Sequence, residues 1–301
     1  MRWEGVPAGS VNTNARVETD RGAAFLRVYE AVGAAEAAAE LRLVAHLRAR
    51  GVPTPAVLAR RDGALLGAIS GKPAALFELV GGRELCLREG EPAHARAVGD
   101  ALARMHLEGR DYPGAGEGRF TFGSVLARMR GLEGSADAVV ARALPLLRDE
   151  AAALAREQGS ENLPRGVIHG DLFRDNVRFE GARVVALIDF ESASTGTLVY
   201  DLATCLLAWT FYDDFRADLG RALVDGYAAV RPLESAERAG GLYREARRAA
   251  LRFTVTRITD FHLRPQPAGA RREKDFRRYV ARLARLRALG PDGVARMWAI
   301  L

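Results

Sequence analysis

The stretch that decides the reading is VIHGDLFRDNVRFEGARVVALIDFE, residues 167–191. Residues 177–190 are β-rich on both sides of Glu180-Gly181-Ala182-Arg183, the composition of a tight turn between antiparallel strands. Centring the turn near Gly181 and Ala182 sets the start of one strand opposite the end of the other, so Asn176 and Asp189 become near neighbours across the pair. An amide oxygen and a carboxylate then face one point. With water and phosphate oxygens, this is the donor set that magnesium prefers, because the ion keeps several waters and rarely takes an all-protein cage. Asp171 lies in the loop that ends at Asn176, which puts a second carboxylate beside that point as a candidate base.

Toward the N-terminus, residues 15–19 and 24–29 read as two strands joined around Asp20-Arg21-Gly22. Residues 34–50 have the apolar spacing of a helix, with Leu41, Val44 and Leu47 on one face and Gly51 after its end. The prolines of GVPTPAV keep the next residues extended, and a second hairpin, ALLGAIS then AALFELV, closes at Gly81-Gly82. Beyond it, residues 92–108, 121–130, 137–157, 198–209, 216–229, 235–260 and 273–288 carry helix-period spacing, interrupted by the 177–190 hairpin. The expected architecture is α+β with two lobes: a β-rich lobe over residues 1–80 and a helical lobe over 81–301.

The remaining composition bounds the function. A chain of 301 residues that is 49% hydrophobic can bury a large core. Cys86 and Cys205 are far apart, so neither a disulfide framework nor a CxxC metal site is expected, and a reducing, cytoplasmic setting fits. No signal-like segment or long apolar run is present, so no membrane association is expected. The net charge of +6 raises the question of nucleic acid. Yet the basic residues, all arginine except Lys72 and Lys274, are spread among Asp and Glu along helical segments, so no nucleic-acid partner is expected. A positive field still favours anionic ligands such as ATP.

Phosphoryl transfer needs a metal on the phosphates, a group that accepts the proton of the attacking hydroxyl, and cations for the other oxygens. The protein kinase loop places an Asp, a metal-binding Asn and a second metal-binding Asp in the same order as Asp171, Asn176 and Asp189. HGD-x4-N, IDFE and Tyr200-Asp201-Leu202-Ala203 together resemble the aminoglycoside phosphotransferase and choline kinase superfamily. GSVNTNARVET (9–19), GKPAALFELVGG (71–82), ALRFTVTRITD (250–260) and RREKDFRRYV (271–280) are most similar to the bacterial type II homoserine kinases within it.

That resemblance implies a bilobal protein-kinase-like fold and a kinase using ATP and Mg2+ on a small-molecule hydroxyl. Its product with L-homoserine is O-phospho-L-homoserine, a step of threonine biosynthesis. The resemblance also implies Asp171 as catalytic base, Asn176 and Asp189 as metal ligands, and His169 and Asp201 as supports of the loop. Nucleotide contacts fall on Ser10, Arg27, Glu40, Glu78 and Val80. Arg27 stands where kinases place a phosphate-pairing lysine, and Glu40 is preferred over Glu36 as its helix partner.

Several residues keep two readings. Arg257 and Asp260 are either an internal ion pair or a device that captures an amino acid, guanidinium to carboxylate and Asp to ammonium. Arg174 and Asp175 read as solvated loop charges, and His106 as a packed helix residue. Trp209, Phe211 and Tyr212 offer the aromatic cage that choline would need. Leu207 and Ala208 stand where homoserine kinases of this type commonly carry Asn-Asp before the tryptophan. An aminoglycoside acceptor would call for an acidic face, against the arginine-rich C-terminal half; a silent ATP-binding scaffold would not need an intact Asp171, Asn176 and Asp189.

Overall fold

The computed structural model describes residues 2–6, 11–20, 22–86, 88–157, 162–264 and 274–300. Its N-terminal sheet contains β1 (Arg2–Val6), β2 (Thr13–Thr19), β3 (Gly22–Val28), β4 (Val57–Leu58), β5 (Gly67–Ile69) and β6 (Lys72–Glu78). The order is β1-β2-β3-β6-β4, with β5 also on β6 and every pairing antiparallel. Along β2, Ala15 and Val17 turn inward while Arg16 and Glu18 face solvent. That alternation fixes the register, because a slip by one residue would bury the charges. β1 was not expected; its RWEGV is exposed except at Val6 and has no alternation to read.

The helix α1 (Ala34–Ala49) carries two buried stripes. Ala37 and Leu41 pack with Tyr29, Ala75 and Phe77 against the sheet, whereas Leu43, Val44 and Leu47 join the larger core. One helix therefore belongs to both lobes. Each of these fully buried leucines contributes roughly 1.5–3 kcal/mol, so Leu41→Ala would loosen α1 from the sheet.

The larger lobe is built from α2 (Pro92–Gly109), α3 (Phe122–Arg130), α4 (Ala138–Arg156), α5 (Leu198–Thr210), α6 (Ala217–Val230), α7 (Leu242–Arg257) and α8 (Arg277–Trp298). α2 and α6 touch through their backbones: a Cβ on Gly99 would sit 2.1 Å from the Leu223 carbonyl oxygen, and one on Gly226 would sit 2.1 Å from that of Arg96. The expected helix over 235–260 is broken, because Gly240 adopts φ +111° inside a π turn over Glu237–Gly241, and a second π turn, Ile258–His262, follows α7. α8 runs past the expected 273–288 and kinks at Gly290-Pro291.

Four more strands sit in this lobe. β8 (Val177–Glu180) and β9 (Arg183–Leu187) form the expected hairpin, with Val177 opposite Leu187. β7 (Arg165–Ile168) pairs with β10 (Ser194–Thr197), a pairing that the sequence pattern does not signal. The two pairs hold the functional loop between them. Among the described residues, no helix is long and apolar enough to cross a membrane. Cys86 is exposed and Cys205 buried, and both are free.

Candidate active site

The loop from His169 to Asn176 begins where β7 ends, and Asp201 on α5 sets its shape. The fully buried Asp201 carboxylate accepts the His169 amide at 2.6 Å, the Gly170 amide at 2.8 Å and His106 Nε2 at 3.2 Å. Burial raises the pKa of Asp201, but these bonds, led by that from His106, outweigh it and hold the group below the usual carboxylate range. His169 Nε2 faces the Ile188 carbonyl at 3.0 Å and its Nδ1 the Asp171 amide at 3.3 Å, so the side chain is spent on loop geometry. Gly170 turns with φ +74°, and a Cβ there would lie 2.8 Å from the Ser192 carbonyl oxygen. Both facts require glycine.

Arg174 is not a solvated charge. Its guanidinium donates to the carbonyls of Cys86 (3.1 Å), Ala208 (3.3 Å) and Trp209, and desolvation pushes its pKa down to about 10. Trp209 Nε1 in turn donates to the Leu172 carbonyl at 3.1 Å.

Asn176 Nδ2 donates to the Asp171 carbonyl at 2.8 Å, so its amide oxygen points the other way. The Ile188 amide bonds the Asn176 carbonyl at 3.0 Å, and Asp189 follows at once with φ +66°. This left-handed turn is tolerated by Asp and re-aims its carboxylate. Arg27 crosses from the small lobe: its Nη1 lies 2.9 Å from Asp189 Oδ1 and 3.3 Å from Glu40 Oε1, and its Nε 3.4 Å from Asn14 Oδ1. Burial works against the Arg27 charge, but Asp189 and Glu40 outweigh it and keep its pKa above the ordinary value. Glu40 is pushed up to about 7, by burial first and against the pull of Arg27. Glu36 instead caps α1, accepting the Gly33 amide at 3.2 Å.

On the other side of the loop, Asp171 Oδ1 accepts Arg252 Nη1 at 3.3 Å. Arg252 lines a cavity of about 230 Å3, whose wall includes Arg119, Phe120, Gly170, Ser194 and Arg248. Arg257 and Asp260 do not pair. Asp260 is held by Arg128 at 2.7 Å, whereas Arg257 lies 4.5 Å from the Tyr279 ring and donates to the Asp275 carbonyl at 3.4 Å. Helix geometry explains the correction: the π turn after Arg257 carries Asp260 off its face. Burial lowers the Arg257 pKa, with Tyr279 and then Asp171 acting in the opposite direction.

Two other expectations change or lie out of reach. Trp209 and Phe211 are buried, with Arg282 at 4.6 Å over the Phe211 ring, so the aromatic cluster is filled by the protein's own cation. Ser10 lies outside the described residues. The Glu78 carboxylate accepts Arg48 and the Ala56 amide, each at 3.2 Å, and Val80 is half-buried just after β6.

Residues 2–238 match the phosphotransferase enzyme family. The chain belongs to that family. A homoserine kinase of Rhizobium etli is 39% identical to this phosphotransferase over 297 residues, covering 96% of this chain and 90% of the relative. In fold, the enzyme resembles an amicoumacin kinase solved with AMP-PNP and Ca2+ (TM-score 0.70, 16% identity, covering 96% of this chain and 88% of that one). It also resembles a choline/ethanolamine kinase family protein from Mesorhizobium loti (TM-score 0.65, 18% identity, covering 100% and 92%). The α+β expectation of a bilobal, kinase-like fold holds.

The phosphotransferase also contains residues that the pattern of the sequence does not expose. His106 is a buried link, with Nδ1 2.7 Å from the Tyr227 hydroxyl; the same hydroxyl accepts Arg231 at 3.3 Å, and Arg231 pairs with the buried Glu237 at 3.0 Å. Glu191 ties the lobes, accepting Asn12 Nδ2 and Arg119 Nη2, each at 2.8 Å. Arg252 was legible only as one more helix arginine.

Proposed function

We propose that this kinase transfers the γ-phosphoryl group of ATP to the side-chain hydroxyl of L-homoserine, with Mg2+, in the cytoplasm. The observation that carries the acceptor is the likeness to homoserine kinases across nearly the whole chain. Nucleotide and divalent metal use fit the related fold solved with AMP-PNP and Ca2+. In this reading the nucleotide binds between residues 1–80 and 81–301, with Arg27 for phosphate oxygens, Glu40 behind it, and Glu78 and Val80 as further contacts; Ser10, outside the described residues, stays a contact that the family resemblance alone suggests.

The donor set fits magnesium. Asn176 keeps its amide oxygen free of Asp171, and Asp189 is more than one-third exposed beside it. Bound there, the ion would neutralise charge on the β- and γ-phosphates. Asp171 accepts the proton of the substrate hydroxyl as that oxygen forms its bond to the γ-phosphorus, and the bridging bond to the β-phosphate breaks to leave ADP. His169 and Asp201 hold the loop that carries the base. Arg252 and Arg257 make the side of the loop around Asp171 cationic, which suits an acceptor that carries an acid group, whereas Asp260 is already committed to Arg128.

Choline or an amino sugar on the same fold is the alternative. The arginines of the cavity disfavour a cationic acceptor, and the aromatic cluster is packed. An ADP-release assay over homoserine, choline and an aminoglycoside tests the choice. Homoserine is expected to give the highest kcat/KM; faster turnover of either cation would overturn the acceptor.

A further inference from the structure

We infer that Arg252 binds the acid group of the acceptor and is the specificity-determining residue of the cavity beside Asp171. This rests on the homoserine reading above and names the residue that enforces it.

Four of the five arginines of α7 show the contrast in environment. Arg247 gives Nε to Glu150 at 2.6 Å and Nη1 to Glu157 at 2.7 Å, and Arg248 pairs with the buried Glu245 at 3.0 Å. Those guanidinium groups serve the fold. Arg257 covers Tyr279, bonds a main-chain carbonyl and does not line the cavity. Arg252 does line it, yet among the described residues its hydrogen bonds are two long ones from a single nitrogen, Nη1, to Asp171 Oδ1 at 3.3 Å and to the Gly170 carbonyl at 3.5 Å. Its Nε is buried without a partner among the described residues.

A guanidinium has five donors, and a buried one left with so few acceptors is costly. It is nonetheless fixed in place. The Arg252 side chain is 6% exposed, and its guanidinium lies 4.0 Å from the Phe120 ring centre and 3.8 Å from that of Phe253. Two aromatic faces hold the plane of the cation while its hydrogen-bonding edge remains available, which favours a planar, bidentate anion such as a carboxylate. One end of that cation already touches the base. A hydroxyl on Asp171 and an acid group on Arg252 would therefore belong to one short molecule, and three carbons between them span roughly 5 Å by ordinary bond lengths. The cavity of about 230 Å3 is smaller than the roughly 300–1,000 Å3 of sites for drug-sized ligands. Glu117, the acid in the same wall, is available to the ammonium group.

The test compares L-homoserine with 3-aminobutan-1-ol, which has a methyl in place of the acid, and uses L-2-aminobutyrate as an inhibitor that keeps the acid but lacks the hydroxyl. In Arg252→Lys, KM for homoserine and Ki for L-2-aminobutyrate should rise together by roughly tenfold to a hundredfold. KM for the acid-free alcohol should stay within about twofold, so the preference for homoserine collapses. Phe120→Ala removes one face of the clamp without altering the cation. It should raise KM for homoserine selectively and carries the test if Arg252→Lys fails to fold. A fall in kcat on both acceptors with the preference intact would overturn the inference, leaving Arg252 as a positioning residue for Asp171. Collapse of the preference in Arg257→Leu but not in Arg252→Lys would also overturn it. If the wild-type enzyme turns over choline but not homoserine, the acceptor reading itself fails first.

Discussion

Two carboxylates of this kinase sit against buried cationic or polar partners and differ in almost every other respect. Asp201 is closed from solvent and accepts three donors within 3.2 Å, two of them main-chain amides of the loop it supports. Asp189 is left more exposed, turned by a positive φ toward a single arginine, with Glu40 pushed up to about 7 nearby. The first corner is complete as folded. The second holds charges whose full set of partners would include phosphate and metal. The comparison teaches that the loop is pre-organised by the large lobe, whereas the Arg27–Glu40–Asp189 corner, proposed above for the nucleotide, is left under electrostatic tension.

The sharpest break of the comparison lies at the residue between the two corners. Asp171→Asn keeps the shape but cannot accept the substrate proton, so kcat should fall by ~10²–10⁴-fold with the melting temperature nearly unchanged. Steady-state turnover near that of the wild type would remove Asp171 from the role of base. Next in size, Asp201→Asn removes the anion that His106 and the two amides share, and losing a buried hydrogen bond to a charged group costs about 1.5–3 kcal/mol. Its sign with pH is fixed. Because the folded pKa is depressed, the unfolded chain takes up the proton first, and the stabilisation is full above the ordinary Asp value and lost as pH falls through the folded one. Urea titrations should show the wild-type advantage shrinking only in acid; a constant gap would refute the linkage.

Smaller again is Gly170→Ala. A positive φ and a contact of 2.8 Å with the Ser192 carbonyl oxygen should cost about 1–3 kcal/mol, and kcat should fall more than ATP affinity. The least severe change is Arg27→Ala, which should raise KM for ATP by roughly tenfold and KM for the acceptor by less. Equal shifts in both would show that the nucleotide corner is not separable from the acceptor side.

The parts of this architecture that could be read in advance are those with local periodicity. The hairpin over 177–190, the helix over 34–50 and the order Asp171, Asn176, Asp189 are all carried by neighbouring residues. β10 was hidden because Ser194-Thr195-Gly196-Thr197 has no apolar alternation, although Ile168 covers Gly196 closely enough that a Cβ there would lie 2.4 Å away. The break at Gly240 was hidden because a glycine inside a helical pattern is usually tolerated. Partners far apart in the chain leave no periodic trace: His106 meets Asp201 across 95 positions and Arg252 meets Asp171 across 81. Arg174 and Arg252 look like surface charges until the fold desolvates them.

The contact between α2 and α6 has a consequence for how this protein can drift. α2 carries His106, so the position of the loop from His169 to Asn176 descends from a crossing where Gly99 and Gly226 admit no side chain. Alanine is the smallest replacement for glycine and improves most exposed helices, and this chain is rich in it. At these two positions the same exchange would wedge the helices apart and move a histidine that supports Asp201. A library of all single replacements should therefore find them among the most conserved-by-necessity sites of the enzyme, although neither touches a substrate.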